Sequence, residues 1–535
     1  MKNHFDISLN KLKTIIYIYD NKLINEKISL IKCISQLPLK KKENVILYHD
    51  MLLFIVSNPE NKVIKKLADK ELLRITDCIK NDHNFKIKFT DTSLPYTKIQ
   101  IQFSHDIMIW INSYKQCKAS INSFDKSGVD INKILKLTLP SLEQDLTTMG
   151  LNNDDLFKSL QIKKSQQLSF ILNELSKLND FPLVKDYLWE SLQLNLEIES
   201  TDMRFSKTYN LLPKQTTFYQ NEILKKFDHL ELIHRLLPLP KAMSNKETDE
   251  LSSIIKKSLV LTRRETDPST YMENNTLRLY ELERGISIAI FGMNANRQMP
   301  LQSYIGYTLF KNGYPVAYGG SWIFGRIGWF GLNIFETFRG GESGYIMCQL
   351  LRVYKQVFNL DKIEVEPYQY GLGNPDGIKS GAFWFYYRYG FIPIDENLCR
   401  LAESETKKIK NTPNYRTNDK TLLKFTESNI ALSFGQTKSE LLLEIIDKVR
   451  NVIAKKFNGN RDSAIKYCIN EITKKLNNAT FSENEKPSLI EVALMSNALN
   501  IIDNQQLILL DNMIKLKVNN PYLYNKNLSL FLDSI

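Results

Sequence analysis

The sequence predicts an α+β multidomain protein, with a mixed α/β domain over residues 246–400 between two largely helical regions, 1–245 and 401–535. Three observations point there. Of the 21 glycines, 17 lie between Gly285 and Gly390, and glycine is needed where backbone turns sharply or approaches something closely. Inside that zone, short alternating apolar runs are punctuated by turns, whereas outside it apolar residues recur at three- and four-residue spacing. At 535 residues, the chain is also longer than one hydrophobic core usually organises.

In the N-terminal region, "NKVIKKLADKELLRITDCI" (61–79) and "SQQLSFILNELSKLN" (165–179) carry helical stripes, and "YTKIQIQFS" (96–104) alternates as a short strand. Two prolines in "LLPLPKAMSN" (236–245) stop a helix and mark a linker. In the central zone "GISIAIFGM" (285–293) reads as a strand, and residues 303–324 as two strands around Asn312-Gly313, a hairpin signal. "GWFGLNIFETFRGG" (328–341) opens as a strand with Leu332 and Ile334 alternating. A glycine turn then leads into a helix to about Leu360, with Ile346, Leu350, Tyr354 and Phe358 on one face. "KIEVEPYQYG" (362–371) is expected to be a strand, "SGAFWFYYRYG" (380–390) an aromatic helix and "FIPI" (391–394) a closing strand. Beyond it, the lysine-rich "ESETKKIKNTPNYRTNDK" (403–420) reads as a mobile connection. Thr437 and Glu440 have capping-box spacing at the start of a helix to Phe457.

Composition narrows the class. The chain is 43% hydrophobic and 24% charged, ordinary for a soluble globular protein. The net charge of 71 − 59 = +12 is spread along the chain, and the longest basic run is Lys40 to Lys42, so no nucleic-acid partner is expected. Six scattered cysteines lack metal-ligand spacing and read as reduced thiols; no metal is expected. The N-terminus has no secretion-signal core, and no apolar run reaches the ~18–20 residues of a membrane span. A cytoplasmic location is therefore expected.

The stretch "FRGGESGYIMCQLL" (338–351) carries the functional reading. A helix start offers unpaired amides and a positive dipole end to an anion. Gly340, Gly341 and Gly344 permit close approach, and Arg339 adds a charge-assisted contact. This stretch, followed by "IEVEP" and then "AFWFYYRYGF", resembles the GNAT superfamily of acyl-coenzyme A-dependent N-acyltransferases over roughly residues 250–400. Arg339 and Gly344 match the ends of that family's pyrophosphate loop, and Ala382, Phe385, Tyr386, Gly390 and Phe391 match its later helix. The resemblance implies a coenzyme A-binding set of Phe335, Arg339, Gly340, Gly341, Ser343, Gly344 and Tyr345. It also implies Tyr386 as the residue that protonates the departing sulfur, with Tyr387 and Tyr389 as rivals, and Glu364 as the base. The donor would be acetyl-coenzyme A or another acyl-coenzyme A, the acceptor an amine of a small molecule or protein.

Three departures accompany the resemblance. Glu342 stands where the family has its middle loop glycine, so Gly341 is expected to take the close-approach role while Glu342 turns outward. Lys379 replaces an asparagine, and "YQYGLGNPDGIK" (368–379) lengthens a connection. All six histidines precede residue 235, which leaves a carboxylate or a water chain as base in the central domain. Glu366, two residues beyond Glu364, would share its strand face and raise one of the two carboxyl pKa values. Trp329, Phe330 and Trp384 either line an acceptor pocket or pack in the core. Two alternatives stay open: a non-catalytic acyl-coenzyme A sensor or scaffold, and an aminoacyl-tRNA-dependent transferase.

Overall fold

The computed structural model describes residues 4–213, 216–264, 266–435 and 441–535. The chain forms two compact units rather than three consecutive regions. The first comprises 1–222, 249–270 and 311–315; the second comprises 223–248, 271–310 and 316–535. The α+β character holds in both.

In the first unit, helix α1 (Lys62–Asn81) starts where the Asn61 side chain accepts from the amides of Val63 and Ile64. Its stripe Ile64, Ala68, Leu72, Ile75 and Ile79 is buried. Three antiparallel strands, β1 (Ile99–Ile101), β2 (Cys117–Phe124) and β3 (Leu194–Ser200), form a sheet in the order β1-β3-β2. Helix α2 (Gln167–Ser176) sends Leu168, Ile171, Leu172 and Leu175 into the same core as Leu194, Leu196 and Ile198 of β3. The expected short strand is β1; its two partners were not expected.

The second unit is built on an eight-stranded sheet. Its strands are β4 (Arg278–Glu281), β5 (Ile286–Gly292), β6 (Ser303–Lys311), β7 (Tyr314–Phe324), β8 (Ile327–Ile334), β9 (Lys362–Val365), β10 (Ile392–Pro393) and β11 (Ile430–Ser433). Their spatial order is β10-β11-β9-β8-β7-β6-β5-β4. At the β6–β7 turn Asn312 (φ 48°) and Gly313 (φ 85°) are both left-handed, the geometry that an Asn-Gly hairpin supplies. Strands β8 and β9 are parallel, which requires a crossover, and the helix Ser343–Phe358 provides it.

Four helices of this unit position the residues discussed below: α3 (His229–His234), α4 (Ser343–Phe358), α5 (Ala382–Arg388) and α6 (Glu396–Asn411). The expected face of α4 is buried in full, at Ile346, Leu350, Tyr354 and Phe358.

Several expectations are corrected. Strand β9 stops at Val365, because Pro367 has no N–H to continue the ladder and opens a 3-10 turn, Pro367–Tyr370. The sheet does not end at residue 400: β11 inserts between β9 and β10. Residues 403–420 are not a mobile connection. Most of them lie in α6 and in a second helix, Asp419–Phe425; α6 buries Leu398, Ala402 and Glu405, and Glu405 accepts from Lys408 (2.7 Å) and Tyr415 (2.9 Å). The "LLPLPKAMSN" stretch is irregular but docked, its Leu237 amide donating to Gln356 Oε1 (2.9 Å) and its Lys241 amide to Leu279 O (2.8 Å). The C-terminal helices share one apolar cluster with Leu301 and Phe324 of the sheet region. Thr437 and Glu440 lie outside the described residues; the helix there is described from Leu441 to Phe457.

Candidate functional site

The loop between β8 and α4 is folded by its own backbone. A 3-10 turn covers Glu336–Phe338, and the Gly341 amide donates to Phe338 O (3.2 Å). Arg339 is exposed, its Nε donating to Ile334 O (3.2 Å), and Ser343 Oγ donates to Arg339 O (3.4 Å).

Glu342 occupies the N-cap position of α4, yet its side chain caps no amide of that helix. It turns inward, only 4% exposed, rather than outward as expected. There Arg284 Nη2 donates to its Oε1 at 2.6 Å, and the Leu224 amide donates to the same oxygen at 2.9 Å. Arg284 holds this pose from a left-handed backbone (φ 60°). The acid is thus neutralised by a cation and faces away from the first-turn amides of α4, which keep no side-chain cap.

Gly344 has a different reason for being glycine from the one expected. A Cβ there would stand 1.7 Å from Tyr389 Oη. Tyr389 is itself wedged among Phe227 (ring centroids 6.0 Å), Phe385 (5.6 Å) and His229 (5.7 Å). Gly344 therefore admits a ring, a steric reason for glycine that the sequence did not suggest. Gly340 is exposed and Gly341 half-buried. Phe335 and Tyr345 are buried: Phe335 stacks on Tyr318 (5.2 Å), and the Tyr345 hydroxyl accepts from Gln349 (2.9 Å).

The second feature is a split in the sheet. Strand β8 runs to Ile334 but pairs with β9 only at Ile327–Trp329 against Lys362–Glu364. Past Trp329 the ladder ends and β9 itself stops at Val365, so the rest of β8 runs on without it. On the stretch of β8 so opened, the Leu332 amide donates to Gln369 Oε1 (3.3 Å), and Gly331 O accepts from the Tyr307 hydroxyl (3.1 Å). Burial first, and then the Tyr386 phenol of α5, push the Tyr307 hydroxyl well above its ordinary pKa of 10.0. Burial also pushes the Tyr386 phenol upward from 10.0, and its ring packs on Phe385 (5.4 Å) and Phe391 (5.5 Å). Tyr387 is half-buried and stacked on Phe383 (5.7 Å).

Glu364 is buried and unevenly held: two hydrogen bonds go to Oε2, and Oε1 has an ion-pair partner but no hydrogen bond. Its Oε2 accepts from Trp329 Nε1 (3.1 Å) and Asn429 Nδ2 (3.0 Å), and Lys362 Nζ lies 3.1 Å from Oε1. Glu366 is exposed beyond the end of β9, so the two acids do not form the expected pair on one strand face. The expected aromatic lining separates as well. Phe330 stacks on Tyr307 (6.0 Å) in the core, Trp329 is tied to Glu364, and Trp384 donates to Thr417 (3.1 Å).

Two histidines, His229 and His234, belong to the second unit, which is therefore not histidine-free. Their helix α3 packs on α4, and Arg352 and Gln356 of α4 donate to backbone oxygens of residues 233–236. Sequence reasoning missed Arg284, Gln369 and this 223–237 segment. Gln369 lies in the noted insertion, and Arg284 directly precedes the first glycine of the zone; neither position alone signals a role.

No protein-family model matches the chain, and no curated protein or solved structure is detectably similar to it. Among the described residues, no helix is long and apolar enough to cross a membrane. Among the same residues, no group of three or more His, Cys, Asp or Glu is placed to hold a metal ion.

Proposed function

We propose that the chain is an acyl-coenzyme A-dependent N-acyltransferase, with acetyl-coenzyme A as the default donor and an amine as acceptor. The observation that carries this reading is the end of the parallel β8–β9 ladder at Trp329, past which the Leu332 amide of β8 meets a side chain instead of a strand and Gly331 O accepts from the Tyr307 hydroxyl. The resemblance over residues 250–400 requires such a strand–helix–strand unit, with its phosphate-binding turn at the start of the connecting helix. The uncapped start of α4 and the exposed Arg339 suit the carrier's diphosphate. Glu342 does not oppose it, because Arg284 neutralises that charge.

In the reaction, the neutral amine attacks the thioester carbonyl, a C–N bond forms, the C–S bond breaks and the electron pair leaves on sulfur. Tyr386, kept protonated by burial, donates to the developing thiolate. Glu364 is not given the base role: its Oε2 is held by two donors, and the Lys362 ammonium stands 3.1 Å from Oε1, in the way of an incoming amine. The amine proton passes instead to water.

The test is a thermal shift with coenzyme A, followed by thiol release over a panel of amines. A ligand at 100-fold its Kd adds ~2.7 kcal/mol of stability, and Tyr386→Phe should lower kcat by about 10²-fold while leaving coenzyme A binding intact. No shift at millimolar coenzyme A sinks the reading. The engagement of Glu364 favours a second reading, a non-catalytic acyl-coenzyme A sensor. Binding without turnover of any amine is its signature.

A further inference from the structure

We infer that Gln369 is a displaceable plug of the donor slot: its side-chain amide holds the open edge of β8 in the free protein, and an amide of the acyl carrier replaces it on binding. The inference rests on the transferase reading and names the residue that regulates access to that site.

A strand edge with no neighbour presents unpaired backbone groups, and an extended ligand carrying amides can add to it as a strand would. Past Trp329, strand β8 has lost β9 as a partner. The donor so exposed, the Leu332 amide, is met by Gln369 Oε1 at 3.3 Å. The same carboxamide crowds Gly331: its Nε2 would stand 3.3 Å from a Cβ placed there. A side-chain amide thus sits where a ligand amide would have to go.

The backbone explains how it gets there. Pro367 ends β9 and starts the 3-10 turn, and the Gln369 amide donates to Glu366 O (3.0 Å), which carries the side chain back across the split. That turn is anchored from behind by the Tyr370 hydroxyl, which donates to Ser428 O. Gln369 is therefore a half-buried side chain carried on an anchored turn. The contact is long for a hydrogen bond and between neutral groups, so it is a weak one and suits displacement. The 368–379 insertion, which lengthens the connection after β9, thereby acquires a purpose.

The experiment follows the Leu332 amide by hydrogen exchange and coenzyme A binding by calorimetry, in the wild type, Gln369→Ala and Gln369→Glu. In Gln369→Ala the Leu332 amide should exchange faster in the free protein and regain protection when coenzyme A is added. The same variant should bind coenzyme A about three- to tenfold tighter, the worth of one net hydrogen bond no longer lost on binding. Gln369→Glu, whose carboxylate is the stronger acceptor, should bind more weakly than the wild type. Unchanged Leu332 exchange in Gln369→Ala, or weaker binding by it, overturns the plug while leaving the transferase reading in place. Absence of coenzyme A binding by all three folded proteins overturns both.

Discussion

Around His49 in the first unit, and in the loop ahead of α4 in the second, a titratable side chain is withdrawn from water almost completely. The two regions handle the cost differently. His49 is 0% exposed and kept neutral: its Nε2 lies 2.8 Å from Thr208 Oγ1 and its Nδ1 3.3 Å from Asp50 Oδ1, and burial lowers its pKa from 6.5. Glu342 is neutralised by a partner, the Arg284 guanidinium at 2.6 Å. The first solution ties stability to pH near neutrality. The second ties it to one cation 58 residues away in sequence, and leaves the helix start beside it free of acidic charge. A buried acid at a helix start is thus no electrostatic bar to an anion there, because the fold supplies its counter-ion.

Removing that counter-ion is the largest test. Arg284→Met removes the guanidinium from a buried carboxylate, and breaking a buried ion pair from one side costs about 3–5 kcal/mol. Urea unfolding should register a loss of that order, and adding Glu342→Gln to the same chain should recover most of it, since no charge is then left alone. A loss below about 1 kcal/mol would mean that the carboxylate reaches water, and the contrast with His49 would break.

The next effect is steric. Gly344→Ala forces a methyl to within 1.7 Å of the Tyr389 hydroxyl and 2.3 Å of its Cζ. The ring has little room to yield, held as it is by Phe227, Phe385 and His229. Overpacking of this kind costs about 1–3 kcal/mol. Combining it with Tyr389→Leu, which withdraws the ring, should restore part of the loss. Were Gly344→Ala silent in unfolding yet damaging to coenzyme A binding, Gly344 would return to the phosphate loop and Tyr389 would be the mobile partner.

Legibility in the sequence followed the range of each interaction. The Asn312-Gly313 turn was readable because two adjacent residues must both be left-handed there. The α4 stripe was readable because helical period alone fixes which residues are buried. Strand β11 was not, since it pairs with β10 across an excursion of two α-helices and with β9 across four. The lysines of residues 403–420 suggested mobility, but Leu398, Ala402 and Glu405 at three- and four-residue spacing decided for a helix. At the candidate site, the local motif located the α4 start. The groups that define its chemistry, Arg284 on Glu342, Tyr389 on Gly344 and Gln369 on Leu332, come from elsewhere in the chain, and no periodicity encodes such pairings.

The smallest prediction concerns His49. Burial is the main cause of its lowered pKa; Lys207 acts in the same direction, while Asp50 opposes both. A folded pKa below the unfolded value of 6.5 means that the unfolded chain binds the extra proton first. The stabilisation from the neutral ring is therefore complete above about pH 6.5 and is lost as pH falls below it, by at most about 1.4 kcal/mol per pH unit. Asp50, whose pKa is lowered from 3.8, titrates below this window and does not contribute to it. Wild type and His49→Gln should be unfolded in urea at pH 7.5 and 5.5, with amide exchange used to follow the first unit separately. The wild type should lose more stability than the variant between the two pH values. Equal losses in wild type and His49→Gln would show that the ring is already protonated in the fold, stabilised by Asp50, and the two regions would then share one solution instead of two.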